Sequence, residues 1–154
     1  MGTHYKGTKK EVLALNTFIK LIRAADSTIS RVNIALSKSK LTESQLNILD
    51  ALYHLGPMCQ KDLGKKLLKS GGNITLVVDN LEKQDLVKRE RGKEDRRLFY
   101  IYLTEKGKNL FEKIFPEYLN SILGAINILT DSEQIEFQRL CKKIGLKKLG
   151  INNK

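Results

Sequence analysis

Two long apolar stripes flank a stretch of about 60 residues that is too short to cover them. From Val12 to Leu36 the residues Leu15, Phe18, Ile19, Ile22, Ala25, Ile29, Val32 and Leu36 recur at three- and four-residue steps, with no Pro or Gly among them. That spacing predicts an amphipathic helix of roughly six turns. After Thr104 the same period returns in Leu110, Phe111, Ile114, Phe115, Leu119, Ile122, Leu123, Ile126 and Leu129, and Pro116 is expected to bend this helix near Glu112–Phe115. Thr130 and Glu133 have the spacing of a capping box, and Ile135, Phe137, Leu140 and Ile144 follow on a last helix. Between the arms lies a unit over about 42–103. The stripes are expected to be buried against the same arms of a second copy, as a two-fold symmetric homodimer.

The chain has 154 residues, of which 41% are apolar and 29% charged, a composition of a folded protein of domain size and not of a multidomain enzyme. Its 28 Lys and Arg against 17 Asp and Glu leave +11, a balance that attracts polyanions. The excess is uneven: 61–108 carry +5, whereas 41–60 carry −2. No apolar run of about 18 residues exists, so no membrane partner is expected, and the first residues lack the stretch of a secretory signal. The expected location is the cytoplasm. Two cysteines and two histidines, widely spaced, offer no metal-ligand pattern, and no cofactor is expected.

In the central unit, Thr42 and Gln45 form a capping box for a helix that Gly56-Pro57 ends. A short helix is predicted over Gln60–Leu68 and another over Asn73–Gln84, with Ser70 or Gly71 near the second N-cap. Two short helices joined by so tight a turn read as a helix-turn-helix. On the second, Ile74, Val77, Val78 and Leu81 share one face; Gly72, Leu76, Asp79 and Lys83 lie opposite, flanked by Asn73, Thr75 and Asn80. Leu86–Arg91 and Leu98–Leu103 read as strands joined by a charged turn, so a wing follows the helix-turn-helix.

A helix laid in the DNA major groove presents short hydrogen-bonding groups from its first turn, over small residues that let the backbone approach phosphates. The segment Lys69-Ser70-Gly71-Gly72-Asn73-Ile74-Thr75-Leu76 fits. Ser70 and the free N–H groups near Gly71 suit a phosphate at the positive end of the helix dipole, Asn73 and Thr75 suit base edges, and Leu76 suits a thymine methyl. The same segment also fits an ordinary capped turn with no ligand. On the wing, Lys88, Arg89, Arg91, Lys93, Arg96 and Arg97 fall within the ten positions 88–97. Val87, Arg89 and Arg91 share one strand face, and an arginine at the tip suits the negative minor groove, with Asp95 placed to hold its guanidinium. A solvated turn in which Glu90, Glu94 and Asp95 neutralise that charge is the alternative.

These residues resemble the MarR family of bacterial winged-helix transcription regulators. The resemblance rests on Leu41-Thr42-Glu43-Ser44-Gln45, Gly56-Pro57-Met58, Lys61-Asp62-Leu63-Gly64, Ser70-Gly71-Gly72-Asn73-Ile74-Thr75, Leu81-Glu82, Leu86-Val87-Lys88-Arg89, Asp95-Arg96-Arg97 and Leu103-Thr104-Glu105-Lys106-Gly107, in that order. It implies a mainly α fold in which a winged helix-turn-helix (42–103) sits between N-terminal (1–41) and C-terminal (104–154) dimerisation helices. It further implies double-stranded DNA and a second copy as partners, a wing in which Asp95 and Arg97 form the motif whose arginine enters the minor groove, and a repressor released by a small aromatic or phenolic effector. No pocket residue for that effector is legible. Asp85 departs from the glycine usual at its position, and Asp tolerates the left-handed conformation expected there.

Cys59 precedes the first helix of the helix-turn-helix, and because some members of the family it resembles sense oxidants through cysteines, the resemblance makes it a candidate redox switch. The favoured reading is a small buried hydrophobe, as for Cys141 on its apolar helix, and His54 reads as a packing residue. A winged helix that binds nucleic acid without sequence preference, or serves as a protein adaptor, is the rival class. An enzyme is not expected, because no acid, base and nucleophile come together.

Overall fold

The structure, a computed structural model, describes residues 2–67, 71–92 and 95–145. Among the described residues six helices and three short strands follow in the order α1 (Lys9–Leu36), α2 (Glu43–Leu55), β1 (Met58–Cys59), α3 (Gln60–Lys66), α4 (Gly71–Lys83), β2 (Val87–Arg91), β3 (Phe99–Leu103), α5 (Glu105–Ile126) and α6 (Asp131–Gly145), with a 3-10 turn at Ser37–Ser39. The winged helix-turn-helix architecture expected from the sequence is what the chain adopts.

Capping chemistry sets most of the helix starts. Thr42 accepts from the Gln45 N–H at 3.2 Å while the Gln45 side chain accepts from the Thr42 N–H at 2.8 Å, so each satisfies one of the other's orphan groups. Thr130 and Glu133 do the same for α6. A third box, Thr8 and Glu11, starts α1 at Lys9, one turn earlier than the apolar stripe predicted. α4 begins at Gly71, two residues before the predicted start. α5 continues through Pro116 to Ile126 as one element, Pro116 leaving the Glu112 carbonyl without its usual N–H partner.

Leu46, Ile48 and Leu49 of α2, Leu63 of α3, Ile74, Val78 and Leu81 of α4, Leu86, Val87 and Ile101 of the wing and Phe111 of α5 are all at most 2% exposed, forming one core. The sheet is antiparallel in the order β1-β3-β2. β1, two residues long and absent from the sequence reading, pairs Met58 with Ile101 and Cys59 with Tyr100, tying the start of the helix-turn-helix to the wing.

The junction from α4 to β2 is a left-handed cap. The Leu86 N–H donates to the Leu81 carbonyl and the Asp85 N–H to the Glu82 carbonyl, the paired bonds of a Schellman ending, and Asp85 sits at φ 60°. Without a Cβ the same φ is free of strain. Asp85→Gly is therefore expected to stabilise the fold by about 0.5–1 kcal/mol, a rise of a few degrees in the thermal midpoint; an unchanged or lower midpoint would count against strain at this position.

The arms are unlike the core. Only Val32, Ala35 and Leu36 of α1 are buried, and no residue of α6 is. Phe18 is 60% exposed, Ile128 77% and Ile135 68%, so the apolar faces have no partner within the described chain that covers them.

Candidate nucleic-acid interface

α4 is amphipathic as its sequence requires: Ile74, Val78 and Leu81 fill the core, while Gly72, Asn73, Thr75 and Leu76 are exposed along its first two turns. Leu76 is 63% exposed, a large apolar side chain held in solvent where the fold does not use it. Gly72 has open space where a Cβ would stand, so nothing among the described residues requires glycine there. The Gln60 side-chain amide donates to the Thr75 hydroxyl at 2.9 Å and so links the start of α3 to the exposed face of α4. Ser70, expected on phosphate, and Lys69, expected among the DNA-binding residues, lie outside the described residues, as does Lys93 at the wing tip.

The wing presents Arg97 in the geometry its Asp-x-Arg spacing predicts. Asp95 accepts from the Arg97 backbone N–H at 2.9 Å, from Nε at 3.1 Å and from a terminal nitrogen at 3.3 Å. The Arg97 side chain is nonetheless 90% exposed. Its side-chain and then its backbone hydrogen bonds hold the Asp95 carboxyl below the usual carboxylate range, favouring the carboxylate that the fork needs. An exposed ion pair of this kind adds little stability; its consequence is a guanidinium fixed in direction before any ligand arrives. At the wing base, Gly92 donates to the Leu98 carbonyl and Leu98 to the Asp95 carbonyl, and a Cβ on Gly92 would crowd that same Asp95 carbonyl. Arg96 is exposed beside Arg97, and Arg91, also exposed, lies 5.6 Å from the Phe99 ring centroid.

Arg89 does not behave as the sequence suggests. Strand alternation places it with Arg91, but its side chain is only 20% exposed and turned back onto α4, with one terminal nitrogen 2.6 Å from Asp79 and the other 3.5 Å from Glu82. Its guanidinium is engaged by two carboxylates of α4. Alternation gives the face of a strand; what lies over that face is decided by the helix packed there.

A cleft of about 630 Å3 separates α3 and α4 from β3, lined by Lys61, Lys65, Ile74, Thr75, Arg97 and Phe99, with Cys59 in its wall. Lys61 and Lys65, missing from the sequence-derived set, are one helical turn apart and exposed, a spacing that could have shown them. Cys59 is buried, in keeping with the favoured reading of it as a small apolar residue. His54 packs against Phe111 and Phe115, its ring centroid 5.8 Å from each, and its Nδ1 lies 3.1 Å from an Asp50 carboxylate oxygen. Among the described residues no group of acidic, His or Cys side chains could hold a metal ion, and no helix is long and apolar enough to cross a membrane.

The comparisons agree with this architecture. Residues 41–99 match the model of the MarR family. Over 141 residues the chain is 34% identical to the HTH-type transcriptional regulator MhqR of Bacillus subtilis, covering 92% of this chain and 97% of that one. Among solved structures, the fold is similar to Sco3205, a MarR family regulator from Streptomyces coelicolor crystallised with DNA, at a TM-score of 0.84, 18% identity and 97% of both chains. It is also similar to BpsR of Bordetella bronchiseptica, at a TM-score of 0.75, 23% identity, 83% of this chain and 97% of the other. The chain belongs to the MarR family of winged helix-turn-helix transcriptional regulators, DNA-binding proteins and not enzymes.

Proposed function

We propose that the chain acts in the cytoplasm as a homodimeric repressor, each subunit reading half of a pseudo-palindromic operator. The exposed first turns of α4, with Gly71, Asn73, Thr75 and Leu76, enter the major groove, preceded by Lys69 and Ser70 on phosphate. Arg97, positioned by Asp95, enters the adjacent minor groove, with Arg91, Lys93 and Arg96 along the flanking backbone and Lys61 and Lys65 on the strand that passes α3. The observation that carries the reading is the Asp95–Arg97 fork, which holds a solvated guanidinium in place on the wing that follows the exposed face of α4. Residues 42–103 supply this interface, and 1–41 with 104–154 supply the dimer contacts.

With half-site centres one helical turn apart, selection of bound duplexes from a random pool is expected to return a two-fold symmetric motif with a spacing of roughly 10 bp. Recovery of no motif, or of an asymmetric one, would end the reading. If each subunit neutralises about four phosphates, log affinity should fall against log salt with a slope near −7. Arg97→Ala is expected to weaken binding to the selected duplex by about 1–3 kcal/mol in titration experiments, with its thermal midpoint unmoved; loss of the dimer in that variant would contradict the assignment.

The regulation proposed is release by a small aromatic acid or phenol that binds the non-DNA spacing of the two recognition helices better. BpsR, whose DNA binding is regulated by 6-hydroxynicotinic acid, is a structural neighbour that supports this class of effector. A thermal-shift screen of aromatic acids, phenols and quinones tests it, with displacement of the selected duplex as the confirming readout.

A further inference from the structure

α4 and β2 are joined by more than the core beneath them. Arg89 reaches back from the wing to Asp79 at 2.6 Å and Glu82 at 3.5 Å, two residues one turn apart on α4. Glu82 also accepts from the Arg89 backbone N–H at 3.1 Å, so the strand is held by main chain and side chain at once. The contact is poorly suited to stability for its own sake. Asp79 and Glu82 are each 40% exposed at the side chain, while Arg89 Nε is buried with no hydrogen-bond partner among the described residues. A half-desolvated pair with an unsatisfied donor gains little over a well-packed apolar substitute, and what such a pair fixes well is relative orientation. The two elements it orients are the ones that present Thr75 with Leu76 and Arg97.

We propose that Asp79, Glu82 and Arg89 form a positioning clamp that sets the angle between recognition helix and wing, so that major-groove and minor-groove contacts are made in one register. These residues contribute to discrimination among DNA sequences and not to general attraction for DNA. The inference rests on the interface assigned to α4 and the wing above. It carries a sign that direct contact would reverse. Asp79 places a negative charge on the DNA-facing helix, so by charge alone Asp79→Asn strengthens binding to any duplex. If the clamp positions the wing, the same variant weakens binding to the right one.

The test uses the full-length protein, the tightest duplex recovered from the random pool, and a scrambled duplex of equal length. Asp79→Asn is expected to bind the scrambled duplex as well as or better than the unaltered chain, yet lose about tenfold on the selected one, the lower end of what a single disrupted base pair costs. The double variant Asp79→Asn with Arg89→Gln keeps net charge constant and should show the same tenfold fall in the selected-to-scrambled ratio. Its salt slope on the scrambled duplex should stay unchanged. Thermal unfolding checks the fold of each, and Asp79→Asn, which keeps an oxygen acceptor in place, carries the test if the double variant does not fold. A ratio unchanged in the clamp variants, with Arg97→Ala still weakening the selected complex, overturns the clamp alone. Arg97→Ala leaving both affinities untouched overturns the interface, and the clamp with it. A salt slope shallower by about one per subunit in Arg89→Gln would instead make Arg89 a phosphate contact.

Discussion

A chain carrying Phe18→Asp and Ile22→Asp is expected to sediment as a monomer and to bind the selected duplex about 10²–10⁴-fold more weakly than the unaltered protein, the factor by which a second tethered site raises avidity. Phe18 is 60% exposed and Ile22 43%, and neither belongs to the core of the winged unit. Leu13, Phe18 and Leu21 of α1 meet Ile144 of α6 around a shallow apolar depression of about 450 Å3. α6 has no buried residue at all, and a helix of 15 residues with so little tertiary packing is marginal in water. Both facts are what the proposed dimer would relieve at once. The variant should keep the thermal unfolding transition of its winged unit, because Leu46, Leu63, Val78 and Phe111 are far in sequence from the change and packed with one another. A dimer that persists with full affinity would show that these stripes do not hold the subunits together.

Gly107→Ala is expected to be strongly destabilising. Gly107 lies in the first turn of α5, buried, where a Cβ would fall far inside contact distance of the Leu86 carbonyl oxygen and press on Leu103. The Leu86 carbonyl cannot retreat, since it accepts from the Thr104 N–H at 3.1 Å. The Thr104 hydroxyl bonds the Asp85 carbonyl at 2.8 Å, and Lys106 Nζ donates to the Gln84 carbonyl at 2.8 Å. Overpacking against fixed backbone costs about 3 kcal/mol, toward the upper end for small-to-large changes, or on the order of 10 °C in the thermal midpoint. Since this junction ties the α4–β2 turn to α5, residual folded protein should also bind the selected duplex less well. A midpoint within a degree or two of the original would mean that α5 slides away at no cost.

Much of this was legible because local chemistry and tertiary structure agree. Thr42 with Gln45 and Thr130 with Glu133 mark helix starts that depend on nothing beyond one turn of chain, and the Thr8–Glu11 box is equally local although the apolar stripe starts only at Val12. The Asp95–Arg97 fork was anticipated because its partners are two residues apart and their geometry is fixed by the turn. β1 escaped because two residues carry no alternation; it exists only because β3 has an edge for it to pair with.

Arg89 marks the boundary between the two kinds of knowledge. The sequence by itself determined the helical periods, the caps, the wing and the family to which they belong, since each depends on residues within a few positions of one another. Only the tertiary structure decided that one arginine of the basic wing faces inward to Asp79 and Glu82 while another stands in solvent, because that choice depends on which helix lies across the strand. A charge is a property of a residue, but its availability is a property of the packing around it.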